Sequence, residues 1–225
     1  MPLRPTLLSE IQAALGSALV PSLTSASAAN DLYEAYLFSI IIDAARTEGA
    51  IRVNFRSRTQ TNPTVFVCRT SPGYLRSTAQ DYGYAEIEFQ GKPILEAHLG
   101  IRVAGASGVL HECDVCVLLQ EEANVCRDSS TRVAPRSARI VISVEAKFYA
   151  GDLGLHLGRE FLWFLSDTSV DKPFFIVNRE SDSIERLLSH KRKLWEHRIS
   201  PPNSIDVARL RSAFQTAFKD FKAKY

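Results

Sequence analysis

The apolar positions change period several times along the chain, and each change marks an element. Residues 5 to 19 have helical composition and run into Pro21-Ser22-Leu23-Thr24-Ser25-Ala26-Ser27, a small-residue linker. Asn30 or Asp31 then opens a second helix through about Arg46, with Leu32, Tyr36, Ile40 and Ala44 recurring on one face and Gly49 ending it. After Gly49 the period shortens to two. Ile51 to Arg58 alternates apolar and polar residues, and Thr64 to Cys68 predicts a second strand, joined to the first as a hairpin through Asn62-Pro63. Ala85 to Phe89 and Ile94 to Val103, separated by Gly91-Lys92-Pro93, predict another hairpin, which makes the region a β-meander.

Leu110 to Leu119 and Ile140 to Val144 are nearly continuous apolar runs, the pattern of central strands in a sheet covered on both faces. Between them, Gln120 to Arg139 is polar and carries Arg127, Arg132, Arg136 and Arg139 around Pro135, so it reads as an excursion or loop able to contact phosphate. Gly151-Asp152-Leu153-Gly154 leads into a helix holding Leu157, Phe161, Leu162 and Leu165, and Lys172 to Val177 is the following strand. Ser183 caps a helix through about Arg198, Pro201-Pro202-Asn203 breaks it, and Ser204 opens a terminal helix with Val207, Leu210, Phe214, Phe218 and Phe221. The expected fold class is α/β (α+β mixed): a central mixed sheet flanked by helices, with an N-terminal helix 5–19 and a C-terminal helical extension 183–222. No internal repeat or low-complexity tract is visible.

The chain has 225 residues, enough for one domain with a large core, and one domain over 1–225 is the default, its core at about 31–180. A hydrophobic fraction of 45% and a charged fraction of 23% argue against extensive disorder or a fibrous architecture. The formal charge of +2 does not announce a nucleic-acid binder, although local clustering can build a positive surface on a nearly neutral protein. The apolar run Leu37 to Ile42 falls far short of the roughly 20 residues that span a bilayer, so no membrane partner is expected. Residues 1 to 30 lack the pattern of a secretory signal, and a cytoplasmic location with free thiols follows as the simplest expectation. Cys113 and Cys116 form a CxxC that Cys68 and Cys126 could complete as a zinc site. Positions three apart on a strand face opposite sides, however, which favours buried small hydrophobes.

The chemistry concentrates where charge interrupts the two central strands. Asp114 lies within His111-Glu112-Cys113-Asp114-Val115-Cys116-Val117, while Glu145 and Lys147 end the run Ile140 to Lys147. Glu145 and Lys147 point the same way and Ala146 the other. Unpaired buried ions cost several kcal/mol, so Asp114, Glu145 and Lys147 are expected to meet at one spot. Two carboxylates there repel unless protonated or bridged, and hard oxygen ligands suit Mg²⁺ or Mn²⁺. Such an ion neutralises a phosphoryl oxygen and activates water, and a neighbouring ammonium stabilises the developing anion, an inventory that matches phosphodiester hydrolysis.

These residues resemble the PD-(D/E)xK nuclease superfamily, with its restriction-endonuclease-like fold: an acidic residue on one strand, then an apolar strand ending in Glu-x-Lys. Here those are Asp114 and Val144-Glu145-Ala146-Lys147, and Glu112-Cys113-Asp114-Val115 also looks like the Glu-x-Asp-hydrophobic variant of Holliday-junction resolvases. The resemblance covers about residues 31 to 180. It implies Asp114 and Glu145 as metal ligands, Lys147 as catalytic, and Glu34 as the helical glutamate that many members place beside the metal. It further implies a Mg²⁺- or Mn²⁺-dependent endonuclease acting on DNA in restriction, phage defence or recombination. A homodimer, a higher homo-oligomer or an activating partner or ligand is compatible with it. Two departures stand out: the loop between Asp114 and Glu145 is longer than in compact resolvases, and no proline precedes Asp114. The alternative is a non-catalytic nucleic-acid-binding or assembly module that retains the fold.

Other polar residues have ordinary readings beside the functional ones. Arg159 could hold a phosphate or pair with a carboxylate, and Arg132 and Arg136 are further phosphate candidates. His111 and His156 either border a substrate channel or cap and solvate, Glu112 shares the strand face of Asp114, and Gly158 permits close helix packing. The run His190-Lys191-Arg192-Lys193 is a phosphate-contact candidate or a solvated helix face.

Overall fold

The computed structural model describes residues 3–128, 133–193 and 195–225. In chain order the elements are α1 (Leu3–Leu15), β1 (Val20–Pro21), α2 (Ala29–Thr47), β2 (Arg52–Ser57), β3 (Val65–Phe66), β4 (Gly83–Glu88), β5 (Leu95–Ala104), β6 (Leu110–Leu119), α3 (Gln120–Asp128), β7 (Ile140–Lys147), α4 (Leu155–Asp167), β8 (Lys172–Val177), α5 (Asp182–His190) and α6 (Ser204–Lys224). A single 3-10 turn, Ser137–Arg139, leads into β7. The architecture is mixed α/β: a six-stranded sheet in the order β2-β4-β5-β6-β7-β8, flanked by helices.

The meander β4-β5-β6-β7 is antiparallel, and β8 returns parallel to β7 after crossing through α4, as the strand, helix, strand pattern of the sequence requires. The apolar runs of β6 and β7 therefore lie centrally, covered from both sides. One side is a large cluster. α2 contributes Leu32, Tyr36, Ile40 and Ala44, α6 contributes Leu210, Phe214 and Phe218, and Val115, Val117, Ile142 and Val144 supply the sheet. Phe214 is fully buried and meets Phe174 edge-on with ring centroids 4.8 Å apart, so truncating it to Ala should cost about 3–5 kcal/mol. On the other side α4 packs on α5 through Gly158, where a methyl group would press Leu187 Cδ2 at 3.3 Å and Ile184 Cγ2 at 3.4 Å. Glycine permits that approach, as the sequence suggested.

Three expectations need correction. The strand at 51–58 does not form a hairpin with 64–68: β2 pairs antiparallel with β4, and β3 instead pairs parallel with β1, Val20 opposite Val65. The Asn62-Pro63 turn directed attention to a local partner, whereas burial of Phe66 against Phe38 and Phe55 draws that short strand elsewhere. Second, the polar segment after β6 is not wholly a loop, since α3 occupies its first nine residues, burying Ala123 and Cys126. The helix reads as polar because only one narrow stripe of it is apolar. Third, the helix begun near Ser183 ends at His190 rather than Arg198, and Arg192 and Arg198 adopt positive φ of 54° and 60°.

The cysteine geometry also departs from simple alternation. Cys113 and Cys116 both pack in one cluster with Cys126 and Ile101, although Val115 between them joins the opposite cluster. The paired strand makes the same change of face: Leu99 packs with α2 and Ile101 with the second cluster, and between them Gly100 has φ +54°. That left-handed backbone, with the Arg69 side chain 3.3 Å from where a Cβ would stand, resets the alternation. All four cysteines are free and buried, and burial, reinforced by the Cys113 thiol beside it, holds the Cys116 thiol far above its ordinary range.

Candidate active site

Pairing of Val115 with Val144 brings Asp114 and Glu145, the next residue on each strand, side by side. The Asp114 carboxylate is 5% exposed and one of its oxygens accepts the Ala146 N–H at 2.7 Å, which fixes it against the backbone between Glu145 and Lys147. As the strand period predicts, Glu145 and Lys147 converge: Nζ lies 2.5 Å from Glu145 Oε1. Ala146 turns instead into the large cluster under α2. From α2, Glu34 joins the same electrostatic neighbourhood, with Asp114, Glu112 and Lys147 all acting on it.

Four carboxyls thus share one lysine, and their ionisation shows the imbalance. Burial, then the Glu145 carboxylate, pushes Asp114 up to about 7. Burial, then Asp114 and two further acids, pushes Glu34 up to about 9. Glu112 is raised by burial and by Glu145. Burial alone would lower the Lys147 ammonium, but Glu145 and Asp114 outweigh it and hold the lysine above its ordinary value, firmly protonated.

A cavity of about 260 Å³ opens onto this cluster, lined by His111, Glu112, Glu145, Glu160, Trp163 and Phe164. Its floor is strand and its far wall is α4. Asp167 at the end of α4 ties that wall to the β5–β6 turn: it accepts Ser107 N–H at 2.8 Å and Ser107 Oγ–H at 2.7 Å, and lies 2.7 Å from His111 Nε2. His111 thus borders the cavity and is held by a carboxylate, rather than capping a helix or standing in solvent.

The remaining expected contacts separate. Arg159 is exposed on α4, one turn before Trp163. Arg136 is engaged by Glu122, its Nε and Nη2 donating at 3.0 and 2.6 Å, so its role in the fold is that of an ion-pair partner. Arg132 lies outside the described residues. Two residues were not singled out from sequence. Trp163 is 69% exposed, and its signal was present: it falls off the apolar stripe of α4. Arg102 stands directly across from Glu112 in the β5–β6 ladder, a relation that only the register reveals.

Among the described residues no group of three or more His, Cys, Asp or Glu side chains stands in an arrangement that would hold a metal ion. The donor chemistry nevertheless suits a hard divalent cation: carboxyls held above their ordinary range by burial and by one another are relieved by one. No family model, curated protein or solved structure matches the chain. Among the described residues no helix is long and apolar enough to cross a membrane.

Proposed function

We propose that the protein is a metal-dependent nuclease of the PD-(D/E)xK type with a restriction-endonuclease-like core, hydrolysing phosphodiester bonds, most simply in DNA. The observation that carries this reading is the convergence of Asp114, in the middle of β6, with Glu145 and Lys147 at the end of β7, with Glu34 and Glu112 beside them and a cavity opening outward. Asp114 and Glu145 would hold a Mg²⁺ or Mn²⁺ ion, which supplies Lewis-acid neutralisation of a phosphoryl oxygen and a nucleophilic water.

The chain's own groups carry definite parts of this mechanism. The Ala146 N–H orients Asp114, so the ligand is positioned before substrate arrives. Lys147 stays protonated, and its ammonium stabilises negative charge developing on the phosphate. Glu34 is a carboxyl protonated at neutral pH, and so a local proton donor rather than a further negative charge.

Incubating plasmid and single-stranded DNA with Mg²⁺, Mn²⁺ or EDTA tests the reading. Cleavage that needs the metal and disappears in Lys147→Ala supports it. Binding without cleavage in every metal would replace it with a non-catalytic nucleic-acid-binding module on the same fold.

A further inference from the structure

The carboxylate cluster is flanked on two sides by aromatic and cationic groups that the mechanism does not use. On the α4 side Trp163 exposes 69% of its surface on the wall of the cavity that also contains Glu112 and Glu145, and Arg159 lies one turn away on the same helix. On the β5 side a second cavity, of about 580 Å³, is lined by Tyr74, Arg76, Ser77 and Arg102, with the Arg102 guanidinium 5.6 Å from the centre of the Tyr74 ring. The two cavities meet across one ladder rung. Arg102 lines the second and pairs directly with Glu112, which lines the first. Directly paired residues stand side by side on neighbouring strands, so the two openings adjoin at this rung.

The chemistry of that surface discriminates between nucleic-acid forms. The first cavity has three carboxylates on its wall, Glu112, Glu145 and Glu160, against which a phosphate is repelled but a neutral base is not. A duplex presents phosphates outward and keeps its bases stacked inside, whereas a single strand can turn bases toward an aromatic wall and phosphates toward rim cations. An exposed indole and a tyrosine ring, each with an arginine alongside, provide such a wall on either side of the acidic centre.

We propose that a single strand of nucleic acid crosses the carboxylate cluster with one unpaired base stacked on Trp163 and another on Tyr74, its phosphates held by Arg159 and Arg102. This rests on the nuclease reading only in taking nucleic acid as the substrate, and it narrows that substrate to unpaired strands, free or at a junction.

Fluorescence anisotropy with labelled 20-nucleotide DNA, RNA of the same sequence and the DNA duplex, in EDTA so that nothing is cut, tests the proposal. A single strand, DNA or RNA, should bind at least about 10-fold tighter than duplex, with the tighter of the two identifying the sugar. Trp163→Ala and Tyr74→Ala should each weaken strand binding by about 5- to 150-fold, while Trp163→Phe retains most of it. Trp163 is exposed, so its replacement does not threaten the fold. Strand binding should also quench tryptophan emission in Trp195→Phe but not in Trp163→Phe, which assigns the contact between the two tryptophans of the chain. Duplex binding as tight as single-strand binding, or an unchanged affinity in Trp163→Ala, overturns the proposal. Strand binding that depends on Trp163 with no metal-dependent cleavage upholds the track and removes the nuclease, whereas duplex cleavage indifferent to Trp163→Ala upholds the nuclease and removes the track.

Discussion

Two clusters of charge, each around one buried carboxylate, sit on the same sheet and are built by opposite rules. Glu96 has its counterparts in place: the carboxylate, fully buried, accepts Arg127 Nη1–H at 3.0 Å, forms a second, shorter contact with Arg127 Nη2, and lies 2.9 Å from His98 Nε2. Tyr84 stacks on His98 at 5.1 Å, and the Arg127 guanidinium covers the Tyr84 ring at 4.7 Å. Burial would raise Glu96, but His98 and Arg127 reverse that and hold it below its ordinary value. At the other cluster Asp114, Glu34 and Glu112 are held above theirs by burial first and then by one another, since one lysine serves four carboxyls. Depth of burial does not separate Glu96 from Asp114, both of them buried. Compensation does: the Glu96 carboxylate meets a guanidinium and an imidazole, whereas Asp114, Glu145, Glu112 and Glu34 have one lysine among them.

Removing the compensation should make the first cluster behave like the second. Arg127→Ala leaves Glu96 buried without its main partner and should destabilise the protein by about 3–5 kcal/mol in urea unfolding. Cleavage per folded molecule should be preserved, so a stable Arg127→Ala protein would show that the network is not structural. Lys147→Ala does the reverse. It should lower the cleavage rate by about 10²- to 10³-fold while leaving a cooperative thermal transition, and a fully active variant would break the contrast from the other side.

The pH dependence sharpens the comparison because the signs differ. Glu34 has a folded value of about 9 against an ordinary 4.5. Its contribution is complete below about 4.5 and is lost as pH rises through about 9. Glu34→Gln should therefore raise the melting temperature of the metal-free protein at pH 9, with the gain vanishing near pH 4; a variant less stable than the parent at pH 9 would contradict the like-charge account. His98, lowered from 6.5 chiefly by burial, and Glu96, also lowered, contribute stability at neutral pH that is lost as pH falls below 6.5 and then below the ordinary glutamate value. The smallest effect belongs to Lys224→Ala. Its ammonium and its partner Asp171 are both exposed, so the melting temperature should move little and salt should erase most of the difference.

Much of the second cluster was legible in the sequence because charge inside an apolar strand is a local anomaly, and the period of two already places Glu145 and Lys147 together. The helices α2, α4 and α6 were legible for the same reason, each carrying its apolar stripe in consecutive turns. The first cluster was not. Glu96, His98 and Arg127 come from β5 and α3, and no spacing announces that a residue of a polar segment will reach back to an earlier strand. The β1–β3 pairing was hidden likewise, as its partners lie 45 residues apart in parallel register, Val20 opposite Val65. The convergence of Cys113 and Cys116 goes with a change of face between Cys113 and Val115 that the paired strand shares around Gly100, which strict alternation along β6 does not include.

The hydrogen bond from Ala146 N–H to Asp114 has a consequence for how this surface could diversify. It locks three chemistry-bearing side chains to a single piece of backbone, so substitution of their neighbours cannot re-aim one of them without moving the others. The aromatic and arginine groups of the rim, in contrast, stand on α4, on β5 and on the segment holding Tyr74, each able to vary alone. Under the proposed function, selection for a new target would therefore rewrite the rim and leave the centre intact, whereas loss of the centre would leave a binder. The molecule is divided into a part that changes as a unit and a part that changes piece by piece.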